Sequence, residues 1–211
     1  PRPPQDRPSP LVSHQWTRQR NGYRIEGVLI QVRPGQTLPA HFYIPNSTPQ
    51  PVAGVLICSG HAFEGKAYPE YQQAGAMVAQ NGMVALVTEP WDQGERLQDR
   101  KPDGGHNSWG TQSHNNTGAK ALLVGWSQAG LEAWDGTIAL DALAAREEVN
   151  GQRLGVMGNS GVQGYLVSGT NLTAIYPQDF YGNLGFTKRD RLKVDPQNNI
   201  WIITQHSGIR V

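Results

Sequence analysis

Residues 51–60 read PVAGVLICSG, a nearly unbroken apolar run that ends in serine and glycine. Runs of this kind are typical of a strand that is buried on both faces of a parallel sheet. The next segment, PEYQQAGAMVAQNG (residues 69–82), has a helical composition and a stop at Gly82, and MVALVTEP (residues 83–90) is a second buried strand. The alternation of strand, helix and strand predicts a βαβ unit and therefore an α/β fold.

The segments on either side extend this prediction. Tyr23–Val32 and Leu38–Pro45 are strand-like runs joined by a Pro-Gly turn, which predicts an antiparallel pair. A long polar loop is predicted from Trp91 to Thr117, followed by two helices that are broken between Gly125 and Gly130. The run QRLGVMG (residues 152–158) is a third strand of the parallel type, so we expect a mainly parallel, doubly wound sheet.

Within that sheet, the sequence predicts three neighbouring parallel strands: Val55–Cys58, Val84–Val87 and Leu154–Met157.

Composition limits the classes of partner. The chain has 211 residues, enough for one domain with a substantial core, and its 18 basic residues oppose 17 acidic ones without a block of either sign. Charge therefore indicates no nucleic-acid or membrane partner. The single cysteine, Cys58, excludes an internal disulfide and a cysteine-built metal site, and its place in an apolar run favours a buried strand residue. The chain begins at Pro1 rather than Met, so either a leader has been removed, as in a secreted or periplasmic protein, or the chain is a fragment.

The stretch RLGVMGNSGVQG (residues 153–164) places Ser160 in a glycine-flanked turn after a short apolar strand. A nucleophile elbow needs a strand, a tight turn and a helix, with small residues beside a serine whose backbone is strained. Gly158 and Gly161 meet that need, although Val162 replaces the last glycine of the G-x-S-x-G pattern. A rival serine, Ser127 in GWSQAG, follows helix formers and is expected on or between helices. The sequence favours Ser160 as the nucleophile, with a chemically inert glycine–serine turn as the alternative.

Four segments occur in an order that resembles the α/β-hydrolase superfamily, specifically its dienelactone-hydrolase and acetylxylan-esterase-like branch. They are GHAFEGK (60–66), EPWDQGER (89–96), EAWDGTIALDAL (132–143) and EEVNGQRLGVMGNSG (147–161). The resemblance covers about residues 23–164 and implies a three-layer α/β-hydrolase fold in which Ser160 attacks an ester carbonyl. It implies a small ester or an acylated carbohydrate as substrate, and no metal or organic cofactor.

The chemistry of an ester hydrolase then assigns further residues. A tetrahedral oxyanion needs backbone N–H donors, one from Gly161 and one from the loop after the first central strand, from His61 or Ala62. His61 could instead be a general base. Asp92, Glu95 and Arg96 are expected to form an ionic brace in the loop beneath the site.

Other polar and aromatic residues carry weaker signals. His106, His114 and Asp103 match no metal-ligand spacing and are expected to be solvated loop residues. Trp91 and Trp109 either line a substrate pocket or pin the loop.

The resemblance fades after Ser160. A hydrolase of this fold places an acid and then a histidine after the serine, and order alone permits Ser160, Asp179 and His206. However, His206 lies in a tail in which DFYGNLGF (179–186) and DPQNNIWI (195–202) repeat one pattern sixteen residues apart, with a strand expected at the end of each copy. This tail resembles the sensor β-propeller repeats of two-component regulators, and two copies cannot close a propeller.

These observations predict three segments: an extended N-terminal arm (1–22), a truncated α/β-hydrolase-like domain (23–168) and an irregular or β-rich, propeller-repeat-like tail (169–211). The leading hypothesis is a serine-dependent carboxylic-ester hydrolase that is weakly active or inactive because its acid and histidine partners are missing. The alternative is a non-catalytic sensor or binding fragment that carries the repeats.

Overall fold

The computed structural model describes residues 9–47, 49, 51–158, 165–168, 171–174, 191–194 and 200–203. Its main sheet has eight strands in the order β1-β2-β3-β5-β4-β6-β7-β8. The strands of this sheet are β1 (Val12–Arg20), β2 (Tyr23–Arg33), β3 (Gln36–Pro45), β4 (Val52–Cys58), β5 (Val84–Thr88), β6 (Val149–Gly158), β7 (Tyr165–Ser168) and β8 (Asn171–Ala174). The helices are α1 (Pro69–Gln80), α2 (Gly110–Leu123) and α3 (Gln128–Ala144).

Three parallel strands form the centre of this sheet, as the apolar runs predict. β4 lies between β5 and β6 and pairs parallel with both, with Cys58 opposite Thr88 on one side and Gly158 on the other. All five residues of β5 are buried, which explains why its sequence shows no alternation of polar and apolar residues. The shared register brings the carboxyl ends of the three strands to the same level at one edge of the sheet.

The flanking strands pair antiparallel. The predicted pair β2 and β3 is confirmed, and β3 joins the centre through β5. On the other side β7 runs back antiparallel to β6, with Tyr165 opposite Val156. A nucleophile elbow continues as a helix. The helix start that an elbow at Ser160 requires would fall on residues 159–164, which lie outside the described residues, and β7 follows them as a strand.

Strand β1 was not recognised in the sequence, and it lies within the segment assigned to an extended arm. It pairs antiparallel with β2, and each of its nine residues is exposed. Trp16 packs closely over Gly27, where an added Cβ would lie 2.2 Å from the indole. The absence of a side chain at Gly27 therefore lets the tryptophan cover the second strand.

Two apolar clusters sandwich the sheet and give it three layers. One contains Ile138, Ala139, Ala142 and Leu143 of α3, packed on strands β2 to β6. The other contains Tyr71, Ala74, Val78 and Ala79 of α1, packed on β3, β4 and β5. The three-layer α/β architecture predicted from the sequence is confirmed.

The helices differ from the prediction in one place. Helix α1 ends at Gln80 and Gly82 follows with φ +77°, the left-handed conformation that glycine adopts readily. The predicted loop Trp91–Thr117 is too long, because α2 begins at Gly110. The start of α2 is rich in Gly, Thr, Ser and Asn, which have low helix propensity, but burial of Ser113 and Ala121 against the rest of the domain stabilises it. The predicted break near Gly125 is confirmed.

A separate two-stranded sheet contains β9 (Arg191–Val194) and β10 (Ile200–Ile203), which pair antiparallel. The strand expected at the end of the second tail repeat is thus present at Ile200–Ile203, whereas residues 179–186 of the first repeat lie outside the described residues. Within the described ranges, no helix is long and apolar enough to cross a membrane.

Candidate active site

The candidate site lies at the edge where β4, β5 and β6 end. The loop after β4 begins at Ser59, the loop after β5 begins at Glu89, and β6 ends at Gly158. Ligands of open α/β sheets bind outside the carboxyl ends of the parallel strands. The candidate residues that the structure describes therefore lie at the edge of the sheet where ligands bind in this architecture.

Four of the candidate residues lie outside the described residues: Ser160, Gly161, Asp179 and His206. The rival serine is described. Ser127 is the N-cap of α3, where its hydroxyl accepts a hydrogen bond from the N–H of Gly130 at 3.0 Å. Its φ of −121° is ordinary extended backbone, so Ser127 caps a helix and shows none of the strain of an elbow.

His61 and Ala62 lie in the loop after β4, as predicted, but their backbone N–H groups differ. The Ala62 N–H donates to Oε1 of Gln93, and the preceding Gly60 N–H donates to Oη of Tyr71 at 2.9 Å. Among the described residues, none accepts a hydrogen bond from the His61 N–H. Of the two predicted oxyanion donors, His61 is thus the one whose N–H is not already bonded within this part of the chain.

The His61 side chain is exposed and belongs to a chain of hydrogen bonds that the sequence did not reveal. Nε2 of His61 lies 3.2 Å from Nδ1 of His114, and Nε2 of His114 lies 2.8 Å from the carbonyl oxygen of Trp91. The two imidazole centroids are 5.0 Å apart. Burial, and then the neighbouring His114, lower the pKa of His61 below its ordinary value, whereas Glu132 opposes the shift.

The loop after β5 is fixed by ion pairs with partners outside it. Arg96 Nη2 donates to Oδ2 of Asp135 at 2.8 Å, and Glu95 pairs with Lys66. Asp92 Oδ1 accepts from the N–H of Gln98 at 3.2 Å. Glu95 and Arg96 therefore do form ion pairs, as the sequence predicts. Their partners lie outside the loop: Lys66 follows β4 and Asp135 lies on α3.

Glu89 follows β5 and is fully buried beside Lys66, which donates to its Oε2. Burial raises the pKa of Glu89, and the neighbouring Lys66 partly offsets that rise. Gly65 and Gly94 flank the carboxylate with φ of +57° and +52°, and a Cβ on either would lie within 2 Å of Oε1. Both glycines are required by the close approach of this carboxylate, and together they fix the two loops against each other.

The two tryptophans singled out in the sequence, Trp91 and Trp109, have different surroundings. Trp91 is buried and its Nε1 donates to Asp135, so this residue pins the loop. Trp109 is 42% exposed and its ring packs edge-on against Phe63, with centroids 5.6 Å apart. His106 packs on the same Phe63. In the described part of the chain, no three His, Cys, Asp or Glu side chains are grouped so that they could hold a metal ion.

No protein-family model matches the chain, and no curated protein matches it. Solved structures do match. A Bacteroides fragilis protein named as an acetyl xylan esterase superimposes with a TM-score of 0.59 at 21% identity, covering 72% of this chain and 43% of that one. The fold is that of an α/β hydrolase. Acetyl xylan esterase 1 from Thermoanaerobacterium sp. gives 0.55 at 16% identity, covering 72% of this chain and 45% of that one.

A methylesterase is a further structural neighbour, with a TM-score of 0.55 and 22% identity over 74% of this chain and 31% of that one. The chain therefore spans less than half the length of these three α/β-hydrolase-fold structures.

Proposed function

We propose that this chain carries the nucleophilic part of a carboxylic-ester hydrolase, with Ser160 as the nucleophile and a small ester or an acylated carbohydrate as the substrate. The observation that carries the proposal is the parallel register of β4 and β6. Ser160 follows Gly158 by two residues, and Gly158 pairs with Cys58, directly before the loop that contains His61. In sequence, the serine and the candidate oxyanion loop thus follow directly after the ends of two neighbouring parallel strands.

The reaction follows from this arrangement. Attack of the Ser160 hydroxyl on an ester carbonyl creates an oxyanion, which needs donors that point to one position. The N–H of Gly161, next to the nucleophile, is one proposed donor and the N–H of His61 is the other. The names of the structural neighbours, two acetyl xylan esterases and a methylesterase, support a carboxylic ester as the substrate class.

A fluorophosphonate probe tests the proposal, because such reagents phosphonylate activated serines. We expect the intact chain to gain one adduct, located on Ser160 by peptide mass spectrometry and absent from Ser160→Ala. Ser127→Ala is the matched control and should be labelled as fast as the wild type. A folded wild-type chain that gains no adduct, or that gains it on another serine, would contradict the proposal.

A further inference from the structure

Three aromatic side chains form an exposed cluster on the loops that follow β4 and β5. Phe63 lies at its centre: its ring centroid is 5.6 Å from that of Trp109, with the two rings at 79° to each other, and 5.4 Å from that of His106. Phe63 and Trp109 are each 42% exposed, and His106 is exposed as well. We call these three residues the aromatic corner. Apolar side chains that gather at one exposed place mark binding surfaces, whereas scattered ones carry no such meaning.

The fold fixes the backbone on both sides of the corner, although the side chains are exposed. The carbonyl oxygen of Phe63 accepts from the N–H of Gly94 at 2.9 Å. Gly110, directly after Trp109, donates its N–H to the carbonyl oxygen of Asp92, also at 2.9 Å. Both bonds end on the loop after β5. The backbone that carries the two rings is therefore fixed before a ligand arrives, which lowers the conformational entropy that binding would cost.

The third member of the corner is held by a loop that closes on itself. His106 forms an isolated antiparallel bridge with Arg100. The next residue, Asn107, donates its N–H to the carbonyl oxygen of Asp99 at 2.8 Å, and the buried Ser108 donates its hydroxyl to the Asp99 carboxylate at 2.6 Å. These bonds hold the imidazole beside the phenyl ring.

The corner also carries polar atoms that make no internal bond in the described part of the chain. No described residue forms a hydrogen bond with Nε1 of Trp109 or with either ring nitrogen of His106. By contrast, the indole N–H groups of Trp91 and Trp134 are bound to a carboxylate and to a carbonyl oxygen. The corner therefore combines apolar ring surfaces with hydrogen-bonding groups at their rims.

A saturated sugar ring has the same combination of surfaces. In a pyranose with equatorial hydroxyls, the axial C–H bonds form apolar faces and the hydroxyls surround them. Aromatic faces carry negative charge density and attract such weakly positive C–H groups. Two rings at 79° offer a floor and a wall to a thick, puckered ring. A flat nucleobase stacks on one ring face and gains little from the second.

We propose that the aromatic corner is a subsite for one sugar ring of a carbohydrate chain. Phe63 and Trp109 form its stacking surface, and the Trp109 N–H and the His106 imidazole bind hydroxyls. The inference rests on the proposed function, because it selects the acylated carbohydrate from the two proposed substrate classes. The corner borders the candidate oxyanion loop: a Cβ added at Gly110 would lie 3.4 Å from Cδ2 of His61. It would bind the saccharide that carries the ester.

Indole ¹⁵N–¹H NMR spectra of the intact chain, titrated with xylotetraose, test the subsite. This probe is a chain of pyranoses whose hydroxyls are equatorial and which carries no ester. We expect the Trp109 signal, identified by its loss in Trp109→Phe, to move and to saturate in the millimolar range. In saturation-transfer NMR of the ligand, Trp109→Ala should weaken binding about tenfold and His106→Ala about threefold.

Trp16→Ala is the matched control, because Trp16 is 37% exposed and also packs on a histidine, His41, far along the sheet on β1 and β3. It should bind xylotetraose as the wild type does. A Trp109 signal that does not move, or an equal loss of affinity in Trp16→Ala, would overturn the subsite. Adenosine that binds at Trp109 with equal affinity would overturn the assignment to a sugar. Circular dichroism of each variant confirms that folded chains are compared.

The two proposals fail separately, because xylotetraose binding requires no reaction at the serine. A wild-type chain that binds xylotetraose at Trp109 but gains no fluorophosphonate adduct on Ser160 would overturn the proposed nucleophile and leave the subsite in place. A chain that is labelled on Ser160 while its Trp109 signal stays unmoved would overturn the subsite alone.

Discussion

Arg96 and Asp135 lie 39 residues apart in sequence, yet Arg96 Nη2 donates to Asp135 Oδ2 at 2.8 Å and both side chains are buried. The same carboxylate accepts from Arg33 at 2.7 Å and from the indole of Trp91. One side chain of α3 thus connects β2 with the loop that supports His114. A buried carboxylate and its two guanidinium partners stabilise the fold only while all three are present, because removal of one leaves an uncompensated buried charge.

Removal of that carboxylate should destabilise the domain. We expect Asp135→Asn to lower the free energy of unfolding by about 3–5 kcal/mol, because it leaves Arg33 and the buried Arg96 without their counter-charge. Urea unfolding followed by circular dichroism measures the change. Glu147→Gln, at an exposed position after α3, is the control and should stay within about 0.5 kcal/mol of the wild type. Equal stability of the two variants would show that this ion-pair set contributes little.

Gly94 should tolerate no side chain. Its φ is +52°, and an added Cβ would lie 1.7 Å from Oε1 of the buried Glu89. Gly94→Ala therefore combines backbone strain with displacement of a carboxylate that pairs with Lys66. Gly104→Ala is the matched control, because its φ of +88° imposes the strain, about 1–2 kcal/mol, but no atom lies within 4 Å of the new methyl group. Gly94→Ala should be clearly the less stable variant in urea; similar losses would mean that Glu89 moves aside freely.

His41 should make stability depend on pH in the acid range. Burial, and next the charge of Lys66, lower its pKa from 6.5 to about 4, with Arg18 acting in the same direction and Glu95 against it. Between these values the unfolded chain binds a proton that the folded chain does not. The free energy of unfolding therefore falls as the pH drops from 6.5 to 4, by on the order of 3 kcal/mol from this group.

The variant His41→Gln tests this dependence through the difference between two curves. Urea unfolding of wild type and variant at pH 7, 5.5 and 4 should show a smaller decline in the variant. Parallel declines would mean that His41 titrates alike in both states and that other groups cause the acid sensitivity.

The parallel centre of the fold could be predicted because burial on both faces leaves a visible apolar run, as in PVAGVLIC and MVALV. Strand β1 could not, since VSHQWTRQR is exposed along its length and shows neither an apolar run nor alternation. The extent of α2 was missed for a related reason: its first residues are poor helix formers stabilised by tertiary packing.

The candidate site was predicted only in part. The position of the loop with His61 and Ala62 could be predicted, because this loop comes directly after the first buried strand in the sequence. The pairing of His61 with His114 joins residues 53 positions apart, and Asp135 reaches Arg33 across 102 positions. Such contacts depend on how helices dock on the sheet, which no local pattern encodes. The one available signal was an acidic residue, Asp135, among the apolar positions of EAWDGTIALDAL.

Ester turnover by the intact chain should be slow. The resemblance to the α/β hydrolases fades after Ser160, and in the sequence His206 is the one histidine that follows the serine. It lies in the repeat-like tail, and a serine hydrolase that lacks one member of its triad loses several orders of magnitude in rate. We therefore expect weak hydrolysis of p-nitrophenyl acetate that is abolished by Ser160→Ala and hardly changed by His206→Ala. Brisk turnover lost in both variants would show that His206 completes a conventional triad. Slow turnover that survives Ser160→Ala would mean that the glycine–serine turn has no part in the chemistry, because a true nucleophile leaves only the background rate when its oxygen is removed.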